Sequence, residues 1–176
     1  MKTPCVILFA LVSFASFSQA RINPVVKSFG GIFDIPYAEE KPDPNQEYKI
    51  IIEVERAIES PDSVSWALNN VARLLNLHAM AGVKSEKMHV VIAIHGGAAY
   101  AVMNNEAYKA KYKVNNPNLL LFQELDKAGV RMVVCGQSLM VRKIDRMKMV
   151  PEVKVASSML TTLTSYQMKG YAVLKF

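Results

Sequence analysis

Val130-Arg-Met-Val-Val-Cys135-Gly-Gln-Ser-Leu139 is the stretch on which the fold turns, because its hydrophobic period changes at Cys135. Val130 to Cys135 reads as a strand, and Gln137 to Ile144 as a short helix. Just upstream, Leu119 to Ala128 has helical spacing and is closed by Gly129. Helix, strand and helix in succession are the alternation of an α/β chain.

The alternation extends in both directions. Asn116-Pro117-Asn118 breaks the chain ahead of this unit and restarts it. Further upstream, Tyr48 to Val54 is an Ile-rich strand, and Ser60-Pro61 offers an N-cap followed by a first helical position. The helix there carries Val64, Ala67, Leu68, Val71, Leu74 and Leu75 at three-and-four spacing until Gly82 ends it. Met88 to Ile94 contains no Asp, Glu, Lys or Arg, as expected of a strand covered on both faces. A short helix is predicted from about Ala98 to Lys109. Downstream, Val153 to Ala156 reads as a strand, Ser157 or Ser158 caps a last helix that Gly170 ends, and Tyr171 to Lys175 is a final strand. The pattern predicts a three-layer α/β/α sandwich with a mostly parallel sheet of about five strands, joined by right-handed crossovers.

This domain is expected to span residues 48–176. Residues 21–47 read as an extended arm, interrupted by Pro24, Gly30-Gly31, Pro36, Pro42 and Pro44. Phe29, Ile32, Phe33, Ile35 and Tyr37 are too apolar for a free tail, so the arm is expected to lie across the domain or a neighbouring subunit. Residues 1–20 have the layout of a secretory signal. Lys2 gives a positive start, Val6 to Phe17 is almost wholly apolar, and Ser18-Gln19-Ala20 offers a cleavage site after Ala20. Periplasmic export is the expectation.

Composition excludes several classes. With 51% hydrophobic and 20% charged residues, the 176-residue chain can pack a core, which excludes wholesale disorder. No uninterrupted apolar run reaches the roughly 18 residues of a membrane-spanning helix, so stable membrane insertion is not expected. A net charge of +6 is moderately basic, but the charge is scattered. Lys109, Lys111 and Lys113 have only Tyr108 and Tyr112 as aromatic neighbours, and Arg142, Lys143, Arg146 and Lys148 have none, so nucleic acid is not an expected partner.

Removing the signal also removes Cys5 and leaves Cys135 as an odd thiol in an oxidising compartment. In open parallel sheets, reactive groups collect at the carboxyl ends of strands. One strand here ends in Cys135-Gly136-Gln137-Ser138, another in His95-Gly96-Gly97. A helix start lowers the pKa of a thiol, and Arg142 is a candidate source of further positive charge. Gly136 admits close approach to the sulfur. His95 is positioned to assist the thiol if the two strands are neighbours, and Gly96-Gly97 resembles a loop whose N–H groups face an anion.

Other chemistries lack their patterns. There is no G-x-G-x-x-G or P-loop, no G-x-S-x-G elbow at Ser138 or Ser157, and no C-x-x-C or H-x-x-x-H pair. His89 and His95 are about 20 Å apart along one strand and cannot share an ion. No cofactor or metal is expected.

At these residues a family resemblance appears. His95-Gly-Gly, the run from Asn118 through Cys135-Gly-Gln-Ser-Leu139, and Gln167-Met-Lys-Gly170-Tyr171 together resemble the DsrE/DsrF-like sulfur-relay family, most closely its exported members. The resemblance covers roughly Gly30 to Phe176. It implies a YchN-like fold, self-association into trimers or hexamers, and a strand-end cysteine carrying sulfur as a persulfide, here Cys135. The expected function is periplasmic sulfur handling, with donor and acceptor unspecified. The rival is a non-catalytic oligomeric module holding a small anion or metal in the same pocket.

Overall fold

Tyr48–Val54 (β1) reads Tyr-Lys-Ile-Ile-Ile-Glu-Val, and its burial rises to a continuous apolar centre at Ile50, Ile51 and Ile52. Both faces of this strand are therefore covered. The computed structural model describes residues 20–176, so the signal reading, Ala20 apart, and Cys5 lie outside the described residues. Four further strands join β1: Met88–Ile94 (β2), Arg131–Cys135 (β3), Val153–Ala156 (β4) and Ala172–Lys175 (β5). The sheet order is β4-β3-β2-β1-β5, with every neighbouring pair parallel.

That order assigns the helices to faces. The chain steps one way from β1 to β4, then returns past β1 to add β5. Right-handed crossovers put connections of one direction on one face and a return connection on the other. Accordingly, Trp66–Met80 (α1), Asn105–Tyr112 (α2), Leu119–Lys127 (α3) and Gly136–Arg142 (α4) belong to the outward steps, and Met159–Gln167 (α5) makes the return. Ile52, Val54, Ile92, Ile94, Met132 and Val134 point into a large core with Leu68 and Val71 of α1 and Phe122 and Leu125 of α3. Ile51, Val91, Ala93 and Val133 point the other way, onto Met159, Leu163 and Tyr166 of α5. Among the described residues no helix is long and apolar enough to cross a membrane.

Two predicted boundaries need correction. α1 begins at Trp66, capped by Ser65, whose hydroxyl accepts the Leu68 N–H. Ser60-Pro61-Asp62-Ser63 closes instead as a turn, with the Ser63 N–H on the Ser60 carbonyl. Proline suits the second position of a turn as well as a helix start, and here the turn wins. The predicted helix from Ala98 to Lys109 is two elements, a 3₁₀ segment over Gly96–Val102 and then α2. Asn104 restarts the chain by accepting the Ala107 N–H.

The arm packs on the large-core side. Val26 is fully buried, and the Asn76 carboxamide of α1 accepts the Val25 and Val26 N–H groups while donating to the Val26, Phe29 and Gly30 carbonyls. At Gly30, with φ +65°, an added Cβ would lie 2.2 Å from the Arg73 nitrogen, so only glycine brings the arm this close to α1.

Candidate functional site

Cys135 ends β3, and its register partner is Ala156, the last residue of β4. From these two neighbouring ends the chain departs to opposite faces, into α4 from β3 and toward α5 from β4. Such a divergence is a topological switch point, where an open α/β sheet has its crevice. Cys135 is the last strand residue at this point and is buried. A cleft of about 520 Å³ lies alongside, lined among others by Gly136, Gln137, Met140, Arg146, Val155 and Ser157.

Donors from both helix starts favour the ionised form of the sulfur. The Met159 N–H belongs to the first residue of α5, and the Gln137 and Ser138 N–H groups to the first turn of α4. The Ser138 hydroxyl donates as well. Burial pushes the Cys135 thiol up, but these donors outweigh it and hold the pKa below the usual 9.0. The residue is only 6% exposed. The arrangement therefore favours a thiolate that is well solvated by protein groups and mostly covered.

His95 is one residue beyond the register pair Ile94–Val134, so it stands beside Cys135 on the adjacent strand. Its Nε2 is committed to Glu53 Oε1 at 2.9 Å rather than to the thiol. The link between the two strand ends is Ser138, whose Oγ accepts the Gly96 N–H at 3.2 Å and whose hydroxyl helps to lower the Cys135 pKa. Gly96 and Gly97 have a packing explanation: an added Cβ would lie 2.9 Å from Glu55 Cγ at the first and 2.5 Å from Ala57 Cβ at the second. Gly136 is similar, with the Ala156 carbonyl 2.9 Å from the would-be Cβ. Gln137 is exposed beside the cleft, and Arg142 occupies the far end of α4, about 10 Å along the axis from the thiol.

The sequence reading missed one group at this edge. Glu53 and Glu55 leave β1 on the His95 side, and Lys175 of β5 reaches them, its Nζ 3.4 Å from Glu53 Oε1 and 2.7 Å from Glu55 Oε2. That ammonium holds the Glu55 carboxyl below its ordinary range. The available signal was the alternation Glu53, Glu55 at the end of a strand. Nothing local revealed that β5 would arrive next to it.

A five-stranded parallel sheet with a polar-cradled thiol at its switch point defines an α/β class of strand-end cysteine proteins. Residues 49–176 match the sequence model of the DsrE/DsrF-like family, and the chain belongs to that family. Membership is compatible with sulfur relay. Among solved structures, the chain is similar to MTH1491 from Methanobacterium thermoautotrophicum, described as a protein of unknown function. The identity is 19% and the TM-score 0.56, over 73% of this chain and 99% of that one. It is also similar to the ychN protein of E. coli, at 19% identity and a TM-score of 0.54, over the same shares. These likenesses establish the fold. No curated protein matches the chain.

Proposed function

We propose that the protein is a sulfur carrier in which Cys135 takes up sulfane sulfur as a persulfide. The observation that carries the reading is the convergence on one sulfur of N–H groups from two helix starts together with the Ser138 hydroxyl. In the loading step the Cys135 thiolate attacks a sulfane sulfur of a polysulfide. A new S–S bond forms at Cys135, the donor S–S bond breaks, and its electron pair leaves on the shortened donor as a thiolate. Delivery reverses the roles. An acceptor thiolate attacks the outer sulfur, and Cys135 departs as the thiolate that the cradle stabilises. No external oxidant or reductant enters.

Polysulfide treatment is expected to add about 32 Da, one sulfur atom, as a persulfide. The adduct should be absent from Cys135→Ser and removed by dithiothreitol. An unmodified wild-type mass would defeat the reading. Because Cys135 is 6% exposed, native alkylation is the companion measurement. Labelling of the folded protein supports a carrier, whereas complete protection until denaturation favours the binding module.

The reading extends to context. Residues 1–20 act as an export signal, which places the carrier in the periplasm. The chain self-associates into a trimer or hexamer, supported by the exposure of Leu160 on α5 and of Val173 and Leu174 on β5. An N-terminal sequence starting at Arg21 in protein recovered from the periplasm tests the first statement, and light scattering tests the second.

A further inference from the structure

Beside the thiol, the strand ends of β1, β2 and β5 assemble a second constellation that sulfur transfer does not use. One ligand atom each from Glu53, Glu55 and His95 lies within 4.8 Å of the others. Two of the three side chains are largely covered, Glu53 at 14% and His95 at 10% exposure. A cation already sits at them, since Lys175 Nζ approaches both carboxylates. Lys175 comes from an edge strand with all four residues exposed, and its own side chain is more than half exposed. It can swing into solvent without disturbing the core.

We propose that Glu53, Glu55 and His95 bind a divalent transition ion of the zinc class, and that the Lys175 ammonium is a tethered competitor for the position. The donor set is two carboxylates and one imidazole, three protein ligands with the remaining coordination open to water or a small anion. Two carboxylates facing one ammonium leave the cluster one negative charge in excess when His95 is neutral, and exchange of the ammonium for a divalent ion cancels it. Around a tetrahedral ion at metal–ligand distances of about 2.0–2.2 Å the ligand atoms lie roughly 3.3–3.6 Å apart. Glu55 must therefore close in by about 1 Å, while Glu53 and His95 part slightly and exchange their hydrogen bond for the ion. The half-exposed Glu55 side chain has the freedom to supply that movement. Glu53 and His95 are 2.9 Å apart, so their parting is small. Cys135 is not in the donor set, so the site is independent of persulfide chemistry.

Equilibrium dialysis of the full-length protein against Zn²⁺, with metal analysis, tests this directly, and Co²⁺ absorption reports the donor set. The Cys135→Ser protein is carried in parallel. The expected result is one bound ion per chain in both proteins. Glu55→Gln, an exposed and structurally mild change, and His95→Ala should weaken binding about tenfold or more, and Lys175→Ala should tighten it about tenfold. Absence of a stoichiometric ion overturns the proposal, and the cluster is then an ion-pair network. Binding that disappears in Cys135→Ser, or that is indifferent to both Glu55→Gln and Lys175→Ala, overturns it equally.

Discussion

The two faces of the sheet are unequally covered, and the Cys135 side chain belongs to the poorer one. On one face, α1, α3, α4, the 3₁₀ segment and the arm bury a continuous core in which Leu68, Val71, Phe122 and Leu125 have no exposed surface. On the other, nine-residue α5 is the only covering helix among the described residues, and none of its residues is fully buried. Parallel sheets normally have both faces covered. The difference separates tasks: one face holds the fold together, and the other supplies a thin cover over Cys135 and an exposed apolar surface.

The largest expected effect lies on the thick side. Phe122→Ala should cost about 3–5 kcal/mol, read as a fall in the urea midpoint. Leu163→Ala, at a half-buried position on α5, should cost less than half as much and leave the fold intact. Comparable losses at the two positions would break the contrast. Loosening α5 in this way should also quicken alkylation of Cys135, because the Met159 N–H that covers the sulfur belongs to that helix.

The outer side of α5 gives a smaller effect on stability and a larger one on assembly. Leu160 is 68% exposed, so Leu160→Asp should change the stability of an isolated chain by no more than about 0.5 kcal/mol. If α5 packs against a second copy, the same charge removes a buried contact, and light scattering should show a lower mass at equal concentration. An unchanged mass would show that α5 makes no subunit contact.

The unequal faces also explain what could be read in the chain. Strand and helix order was legible because each element carries its own period, as Met88–Ile94 and the Leu119–Lys127 helix do. Cys135 was legible because the strand-to-helix change and Gly136 mark its position. Ser60-Pro61 was misread because a turn and a helix start use the same residues, and the decision rests on Ser65 and its partner Asn118, whose side chain accepts the Ser65 N–H from 53 residues away. The Glu53–Lys175 contact spans 122 residues and depends on β5 crossing back beside β1, which no local pattern encodes. Burial of the thiol under α5 has the same origin.

The subtlest prediction concerns protons at the switch point. In the folded chain the Cys135 pKa lies below 9.0, so alkylation should show a midpoint below that value. Ser138→Ala removes one donor to the sulfur and should move the midpoint upward, leaving the N–H groups of Gln137, Ser138 and Met159 in place. Linkage fixes the sign for stability. A group whose acid is strengthened by folding contributes nothing below its folded pKa, gains as pH rises through it, and contributes fully above the unfolded value. Wild type should therefore gain stability relative to Cys135→Ser as pH rises toward 9, and the gain should shrink in the Ser138→Ala background. A gain of the opposite sign would mean that burial dominates at the sulfur, and that the two helix starts do not hold a thiolate between them.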